Sequence, residues 1–331
     1  MKPMWGRRHL IAGAALPMAL AAAFAWVDSA AAQAYPSRPI RLIVPQSPGG
    51  STDVIARLLS QRIGEALGQT IVVDNRPGAG SLIGSELVAR AAPDGHTLLA
   101  VAASYTINPA LHKKLPFDPV RDFSPISQIV TLPHIVIVHP SVPVKSVQEL
   151  IALAKAKPGE INVAASGVAT STHMAAELFM YMTGTKMVPV QYKGGSPSIT
   201  AMISGQCHLN FAAISTAIPH VRAGRVRALA VSSAKRSAAA PEYPTVAESG
   251  VSGYAHSSWV GILAPAGTPR AIIRRLGAEA VKITRNDQVK ALLLRDGMET
   301  VGSTPAEYTS LIKSEIARWQ EVVKAAGIKP R

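Results

Sequence analysis

The sequence predicts an α/β fold with two lobes, each a central sheet flanked by helices. Apolar strands alternate with amphipathic helices from residue 40 onward, an order that is typical of covered, mostly parallel sheets. A strand–loop–helix arrangement with a Gly-Gly pair occurs once in each half of the chain. Extended stretches at residues 129–138 and 257–264 can cross between the lobes. Two crossings that join a split first lobe to a contiguous second lobe indicate a hinged clamshell.

The composition supports a folded protein of about two domains. The chain has 331 residues and is 48% hydrophobic but only 5% aromatic, which favours helices packed on buried aliphatic strands. Its formal net charge of +14 comes from basic residues spread along the chain, whereas nucleic-acid binding requires a clustered patch. A diffuse positive field instead favours small anions. Cys207 is the only cysteine, which excludes an internal disulfide.

Residues 1–34 have the pattern of a signal peptide. A positively charged start with Arg7 and Arg8 precedes an apolar stretch at residues 10–27, and an Ala-x-Ala pattern ends at Ala34. We therefore expect export to the periplasm, with the mature protein beginning at the next residue. An uncleaved membrane anchor is the alternative, because the apolar stretch is about long enough to span a bilayer. The arginine pair resembles a twin-arginine signal, but a Sec signal is favoured.

The first lobe begins with a β-α-β-α-β order. Continuous apolar runs predict strands, and apolar residues at helical spacing predict the helices between them. The strands are predicted at residues 40–44, 71–73 and 97–101, and the helices at residues 54–67, ended by Gly68, and 82–92. A polar loop is expected at residues 102–109. Such units form right-handed crossovers and a parallel sheet, with the ligand crevice beyond the carboxyl ends of the strands.

The second lobe repeats this logic. Ser146 and Glu149 form a capping box that opens a helix, and residues 157–159 end it. Strands are then predicted at residues 162–164, 188–191, 209–212 and 228–231, and helices at residues 173–182, 199–204 and 219–223. The lobe limits expected from this order are residues 35–131 plus 256–331 for the first lobe and residues 132–255 for the second.

The chain returns to the first lobe after the second crossing. Helices are expected to begin at Pro269 and at Asp287. The last helix has Thr304 and Glu307 at its N-cap and N3 positions and closes at Gly327.

The two Gly-Gly pairs predict two anion cradles. Gly49 and Gly50 precede Ser51, and Gly194 and Gly195 precede a second helix start. Glycine lets the backbone approach a ligand closely, and the free N–H groups of a helix start bind negative charge. Facing cradles suit a molecule with a negative group at each end.

An enzyme reading has little support in the sequence. Residues 78–84 resemble a dinucleotide-binding fingerprint, but residues 74–77 separate them from the preceding strand. His173 lies beside Ser171 on a helix, yet there is no G-x-S-x-G motif, so a capping or surface histidine is the preferred interpretation. The sequence also has no H-E-x-x-H or paired-cysteine motif for a metal. We therefore expect a protein without enzymatic activity, cofactor or metal.

Short motifs along the chain resemble those of the Bug (TctC-like) family, the solute receptors of tripartite tricarboxylate transporters. The motifs are Tyr35-Pro36-Ser37-Arg38-Pro39-Ile40, Pro48-Gly49-Gly50-Ser51-Thr52-Asp53, Asn75-Arg76-Pro77-Gly78-Ala79-Gly80, Pro93-Asp94-Gly95-His96-Thr97-Leu98, Asn108-Pro109-Ala110-Leu111, Tyr192-Lys193-Gly194, Leu229-Ala230-Val231 and Leu263-Ala264-Pro265-Ala266-Gly267-Thr268-Pro269. The resemblance implies a two-lobed periplasmic binding protein of the Venus-flytrap type, type II-like. It also implies a monomer that captures a small organic acid and hands it to large and small membrane subunits.

The resemblance carries the family's ligand contacts over to two sets of residues. The first-lobe contacts would be Pro48, Gly49, Gly50, Ser104, Thr106 and Asn108, and the second-lobe contacts would be Gly167, Ala169, Thr170, Ser171, Thr172, Gly194, Gly195 and Ser196. Two departures from the family pattern leave the ligand open. Residues 46–48 lack the usual aromatic side chain, and residues 211–214 lack a frequent acidic one.

The missing acidic group leaves no evident partner for an ammonium, so di- or tricarboxylates are favoured over amino acids. Lys193 can contact such a ligand or point to solvent, and solvent is favoured. A receptor that senses an amino acid or aromatic acid for a membrane signalling partner is the main alternative. An α/β hydrolytic enzyme is a remote one.

Overall fold

Strands and helices alternate along the chain in the order that the sequence predicts. The computed structural model describes residues 1–2 and 35–330, so the predicted signal peptide at residues 1–34 lies outside the described residues except for its first two positions. Residues Arg38–Arg331 form one compact unit. Within the described ranges, no helix is both long and apolar enough to cross a membrane.

The elements are numbered in chain order. The strands are β1 (Ile40–Val44), β2 (Ile71–Asn75), β3 (Thr97–Ala102), β4 (Phe123–Val138), β5 (Asn162–Ala165), β6 (Val188–Gln191), β7 (Leu209–Ala213), β8 (Arg227–Val231), β9 (Ser257–Pro265) and β10 (Glu299–Thr300). The helices are α1 (Ser51–Leu67), α2 (Leu82–Ala89), α3 (Ser104–Leu111), α4 (Val147–Ala156), α5 (Ser171–Thr183), α6 (Gly195–Ile203), α7 (Ile214–Arg222), α8 (Arg270–Arg285), α9 (Asp287–Arg295) and α10 (Pro305–Ala325). A short 3-10 turn at Ala79–Ser81 precedes α2.

The first lobe contains the predicted parallel sheet. Strand β1 pairs in parallel with β2 and with β3, and β9 joins the other side of β3 in antiparallel orientation. The carboxyl ends of β1, β2 and β3 therefore lie at one edge, where the loops that follow them meet. This confirms the parallel β-α-β-α-β arrangement expected from the sequence.

The second lobe contains a similar parallel unit. Strand β5 lies between β6 and β7 and is parallel to both. Strand β7 continues the sheet by pairing antiparallel with β4, and β8 also pairs antiparallel with β4. The loops after β5, β6 and β7 thus share one edge of this sheet, as the corresponding loops do in the first lobe.

Strand β4 connects the two sheets. Its residues from Phe123 to Pro133 pair with β9, and its residues from His134 to Val138 pair with β7 and β8. The strand begins earlier than the extended stretch read from the sequence, because pairing with β9 extends it into a segment rich in turn residues. The pairing partner changes between Pro133 and His134, at the crossing.

Buried aromatic rings occupy the region where β9 and α10 pack together. Trp259 contacts Tyr308 edge to face with ring centroids 5.6 Å apart, and both are fully buried with Trp319. On the second-lobe side, Phe179 and Phe211 pack together at 5.6 Å. The hydrophobic core therefore runs from the first lobe through the crossing into the second.

The predicted helix ends are confirmed at several positions. Gly68 ends α1 with φ of 67°, the left-handed conformation that glycine adopts without a steric cost. At α10, the Thr304 side chain accepts from Glu307 N–H while the Glu307 carboxylate accepts from Thr304 N–H, which is a complete capping box. Ser146 caps α4 through the N–H of Glu149, but the Glu149 carboxylate accepts from Lys145 N–H, so the predicted capping box is not reciprocal there.

Two local predictions were wrong. The polar loop expected at residues 102–109 is mostly helix α3, because its buried face packs against α10 and overrides the weak helix propensity of Ser, Thr and Asn. Helix α7 begins at Ile214, directly after β7, rather than near Pro219. Proline favours the first turn of a helix, so its position suggested too late a start.

Candidate functional site

The loop between β1 and α1 presents the first predicted ligand residues. Pro48, Gly49 and Gly50 are all exposed. Gly49 has φ of 85°, a conformation that side-chain-bearing residues rarely adopt. Gly50 is the N-cap of α1 and offers no side chain to the helix, so the first-turn N–H groups have no side-chain cap.

A buried carboxylate lies beneath this loop. Asp53 accepts hydrogen bonds from Gly49 N–H, from Arg57 Nε and from Asn75 Nδ2, each at 3.0 Å. The hydrogen bond from Arg57 is the largest of the effects that lower the pKa of Asp53 to about 2. Its negative charge is therefore compensated by Arg57 of α1 rather than presented to an anion.

The predicted ligand residues that follow β3 differ in their roles. Ser104 begins α3 and is half-buried. Thr106 is fully buried, and its hydroxyl bonds to the Ala103 carbonyl and the Glu315 carboxylate, so it faces α10. Asn108 is buried and donates from Nδ2 to the Gly80 carbonyl at 2.8 Å. It thereby ties α3 to the loop that follows β2.

In the second lobe, hydroxyl groups interlock in the loop after β5. Ser166 Oγ lies 2.7 Å from Thr172 Oγ1, and Thr170 Oγ1 lies 3.1 Å from the same atom. Thr170 is also the N-cap of α5, where its side chain accepts from His173 N–H. Gly167 turns this loop with φ of 138°. These bonds hold the predicted residues of this loop in a defined shape.

The backbone of this loop is strained at Ala169. Its φ of 62° is left-handed, which costs an alanine about 1 kcal/mol. His173 stabilises the conformation because its Nδ1 accepts from Ala169 N–H at 3.2 Å, and its Nε2 lies 3.2 Å from the Glu177 carboxylate. His173 and Glu177 are both buried, so of the two interpretations offered by the sequence, a capping or a surface histidine, only the first fits. It is a capping histidine buried under the loop.

The glycine pair after β6 lies next to this hydroxyl loop. Gly194 donates its N–H to the Ser166 carbonyl at 3.1 Å and is the N-cap of α6. Gly195 and Ser196 begin α6 and are exposed. Lys193 is also exposed. The predicted second-lobe residues therefore come together in two adjoining loops at one edge of the sheet.

Ser171 bonds to the crossing region rather than only to its own loop. Its hydroxyl lies 2.8 Å from His256 Nε2, and its carbonyl lies 3.0 Å from the same nitrogen. This resembles the serine–histidine pair of a hydrolase. However, His256 Nδ1 is buried and has no hydrogen-bond partner among the described residues, so no carboxylate orients the ring as a catalytic base.

Acidic groups near the strand ends are paired. Asp74 bonds to Arg41 and Arg76, and Asp53 bonds to Arg57. In the part of the chain that the structure describes, no three His, Cys, Asp or Glu side chains gather as a metal site. The edge of each sheet that carries the loops therefore offers backbone N–H groups and hydroxyls.

Three contributions were missed in the sequence. Asn75 and Asp53 join across two loops, and His256 reaches α5 from the second crossing. The sequence contains a local signal only for the contact between Asp53 and Arg57, which are four residues apart on a helix. The other contacts join residues far apart in the chain.

The family is shown by comparison with known proteins. Residues 55–328 match the family model described as the tripartite tricarboxylate transporter family receptor, TctC. The chain belongs to this receptor family. It is 37% identical over 322 residues to a UPF0065 protein in the tcbD-tcbE intergenic region of Pseudomonas sp. strain P51, covering 96% of this chain and 94% of that relative.

Two solved structures share the receptor fold. Rpa4515 of R. palustris with adipate is 36% identical, covers 90% of this chain and 100% of its own, and superposes with a TM-score of 0.75. MatC of Rhodopseudomonas palustris with bound malate is 30% identical, covers 87% of this chain and 100% of its own, and has a TM-score of 0.71. The likeness extends over both lobes, and the two-lobed fold of the family is confirmed.

Proposed function

We propose that this TctC-family receptor captures a small dicarboxylate in the periplasm and delivers it to the membrane subunits of a tripartite transporter. The observation that carries the proposal is the pair of exposed helix starts at Gly50 and Gly195, each following a parallel strand. Such starts bind negative charge without a cation. Two receptors of the same fold hold the dicarboxylates adipate and malate, which supports this ligand class.

The ligand is proposed to lie between two lobes that close around it. The first lobe would comprise residues 35–131 plus 256–331 and the second residues 132–255. The change of pairing partner within β4, between Pro133 and His134, supports a boundary close to these limits. Closure by hinge motion is the usual behaviour of such binding proteins.

Export by a Sec signal is the proposed route to the periplasm. The proposal depends on the charged start, the apolar stretch and the Ala-x-Ala pattern of residues 1–34. Membership in a family of transporter receptors supports it. The same membership favours a binding protein over an enzyme.

A thermal-shift panel tests the ligand class. A ligand at 100 times its dissociation constant should stabilise the folded state by about 2.7 kcal/mol, which raises the melting temperature by about 4–8 °C in a protein of this size. The protein should first be unfolded, dialysed and refolded to remove any copurified ligand. Adipate and L-malate are expected to raise the melting temperature.

Each dicarboxylate has a matched control with one carboxylate, such as hexanoate for adipate. The two-cradle arrangement requires a clearly smaller shift with hexanoate, because one helix start then has no anion. A protein that ignores every di- and tricarboxylate but responds to an amino acid, a sugar or a nucleotide would contradict the proposal.

Gly50→Val and Gly195→Val test the two cradles directly. A β-carbon at residue 50 would lie 3.8 Å from the Ser47 carbonyl, and one at residue 195 would meet nothing within 4 Å. A side chain at either position therefore does not clash with the fold. It would, however, obstruct a carboxylate that approaches the backbone N–H groups. We expect each variant to weaken dicarboxylate affinity by about tenfold or more, equivalent to about 1.4 kcal/mol.

Calorimetric titration measures the affinity, and the melting temperature of the ligand-free variants controls for folding. Gly50→Ala and Gly195→Ala should give smaller losses, since the obstruction grows with the side chain. A valine variant with unchanged affinity would remove that cradle from the proposed site.

A further inference from the structure

We infer that Asp53 is a positioning residue that holds the β1–α1 loop in its ligand-binding shape. The inference rests on the proposed function, because it concerns the loop that contains Gly49 and Gly50. Three observations support it: the hydrogen bonds of the carboxylate, its burial, and the fact that a negative charge beside an anion site would otherwise weaken binding.

The carboxylate binds three donors from three parts of the chain. Gly49 N–H belongs to the loop, Arg57 lies one turn further along α1, and Asn75 ends β2. The Asp53 side chain is only 5% exposed, whereas that of Arg57 is 55% exposed. The hydrogen bonds of Asp53 are therefore shielded from water. Charge-assisted hydrogen bonds are stronger in such a buried environment than in solvent.

Asn75 closes the arrangement into a ring. Its Nδ2 donates both to Asp53 Oδ1 and to the Gln46 carbonyl, and its Oδ1 accepts from Arg57 Nη2 at 3.2 Å. Asn75 also lies opposite Val44 in the pairing of β1 with β2. The start and the end of the loop are thus fixed to the same strand end.

The contact with Gly49 differs from that of the complete capping box in α10. There the N3 residue, Glu307, accepts from the N–H of the N-cap itself. Asp53 is also an N3 residue but accepts from Gly49, one residue before the N-cap Gly50. The carboxylate thereby anchors the loop while the N–H of Gly50 stays outside the ring.

The electrostatic effect of Asp53 and its positioning role predict opposite changes in dicarboxylate affinity when its charge is removed. A negative group close to an anion site repels the anion, so removing the charge of Asp53 should strengthen dicarboxylate binding if only electrostatics mattered. If the carboxylate instead shapes the loop, Asp53→Asn should weaken binding. An amide has one acceptor oxygen, so it cannot serve the three donors that the carboxylate serves.

The test compares two variants in the ring with a matched control. Asp53→Asn removes the charge, and Asn75→Ala breaks the ring without changing charge. Asp118 is the control because its carboxylate also accepts three hydrogen bonds from backbone N–H and guanidinium donors, namely Val120 N–H, Arg121 N–H and Arg121 Nε. It lies before the amino end of β4, at the opposite edge of the first sheet from the β1–α1 loop.

Affinity for adipate and L-malate is measured by calorimetric titration. We expect Asp53→Asn and Asn75→Ala each to weaken the affinity about tenfold. Asp118→Asn should change it less than twofold. Unchanged or improved affinity in Asp53→Asn, or in Asn75→Ala if the first variant does not fold, would overturn the inference.

Hydrogen exchange of the ligand-free protein gives a second readout. The amides of residues 46, 47 and 49–52 should exchange faster in the two ring variants than in wild type, and Asp118→Asn should leave them unchanged. Wild-type protein that binds no dicarboxylate contradicts the proposed function, and the exchange data then still decide whether Asp53 holds the loop. Unchanged exchange of these amides in both ring variants overturns the inference whatever the ligand.

Discussion

Gly261→Ala is expected to lower the free energy of unfolding by about 3 kcal/mol, the upper part of the usual range for overpacking a core. Gly261 lies within β9, between Val101 of β3 and Gln128 of β4. A β-carbon there would overlap Oη and Cζ of Tyr308 and lie 2.9 Å from its Cε1. Because Tyr308 is fully buried against Trp259, its ring has no free space to enter.

Denaturant unfolding at neutral pH measures this loss, and the melting temperature should fall by about 4–9 °C. A Tyr308→Phe variant separates the ring from the hydroxyl. The Tyr308 hydroxyl is buried without a partner among the described residues, so Tyr308→Phe alone should be neutral or slightly stabilising. It should not rescue Gly261→Ala, since the ring remains.

Tyr308→Leu provides the rescue. The shorter side chain removes the ring, so Gly261→Ala should cost at least about 1 kcal/mol less in the Tyr308→Leu background than in wild type. Strictly additive losses, or a Gly261→Ala protein within about 0.5 kcal/mol of wild type, would show that the sheet relaxes around the methyl group.

Stability is expected to fall as the pH drops from about 6.5 to about 4, because two histidines are buried at the crossing. His134 and His256 stack with ring centroids 5.4 Å apart and planes within 5°, and the Nδ1 atoms of both lack partners among the described residues. Burial lowers the pKa of His134 from 6.5 to about 4. Burial, His134 and Arg318 together lower the pKa of His256 well below its usual value.

The direction follows from the number of bound protons. Between the lowered and the ordinary pKa, the unfolded chain binds protons that the folded protein does not, so stability rises with pH. The contribution is complete above pH 6.5 and is lost as the pH falls to about 4. For His134 alone, the shift corresponds to about 3 kcal/mol.

The groups that face this pair are few. Arg318 of α10 and the Ser171 hydroxyl of α5 lie against His256, and the Trp319 ring packs edge to face at 5.0 Å. The Arg318 charge adds to the cost of protonating His256. Asp53 acts in a lower window, since its pKa falls from 3.8 to about 2. The loss between pH 6.5 and 4 is therefore assigned to the buried histidine pair together with His220, whose pKa is also lowered by burial and by Arg225.

His134→Phe tests this assignment. Phenylalanine keeps a flat ring against His256 but cannot be protonated, so unfolding free energies measured at pH 7, 6, 5 and 4.5 should depend less on pH than those of wild type. His112→Gln, at the half-exposed end of α3, is the control and should keep the wild-type dependence. An equal slope in wild type and His134→Phe would contradict the prediction.

Much of the fold and the position of the two glycine-rich loops could be predicted from residues close together in the chain. The Gly-Gly pairs at Gly50 and Gly195 begin helices, Gly68 ends one, and Thr304 with Glu307 forms the expected capping box. These signals are local because caps, turns and periodicity involve neighbours within one or two turns. The family motifs are equally local.

The roles of individual site residues could not be predicted in this way. Thr106 is a polar residue after a strand, yet its hydroxyl bonds to Glu315, 209 residues away. Ser171 belongs to a loop of hydroxyls, yet it bonds to His256. The sequence around either residue does not predict its hydrogen-bond partner.

The sequence by itself determined the order of strands and helices, the two glycine-rich helix starts and the membership of a receptor family. The tertiary structure decided that residues 104–111 are helical, that Asp53 and Asn75 close a ring under the first loop, and that His134 stacks on His256. The physical reason is that backbone conformation follows mainly from short-range sterics and capping. Burial, hydrogen-bond partners and pKa values follow from contacts between distant segments, which exist only once the sheets have formed.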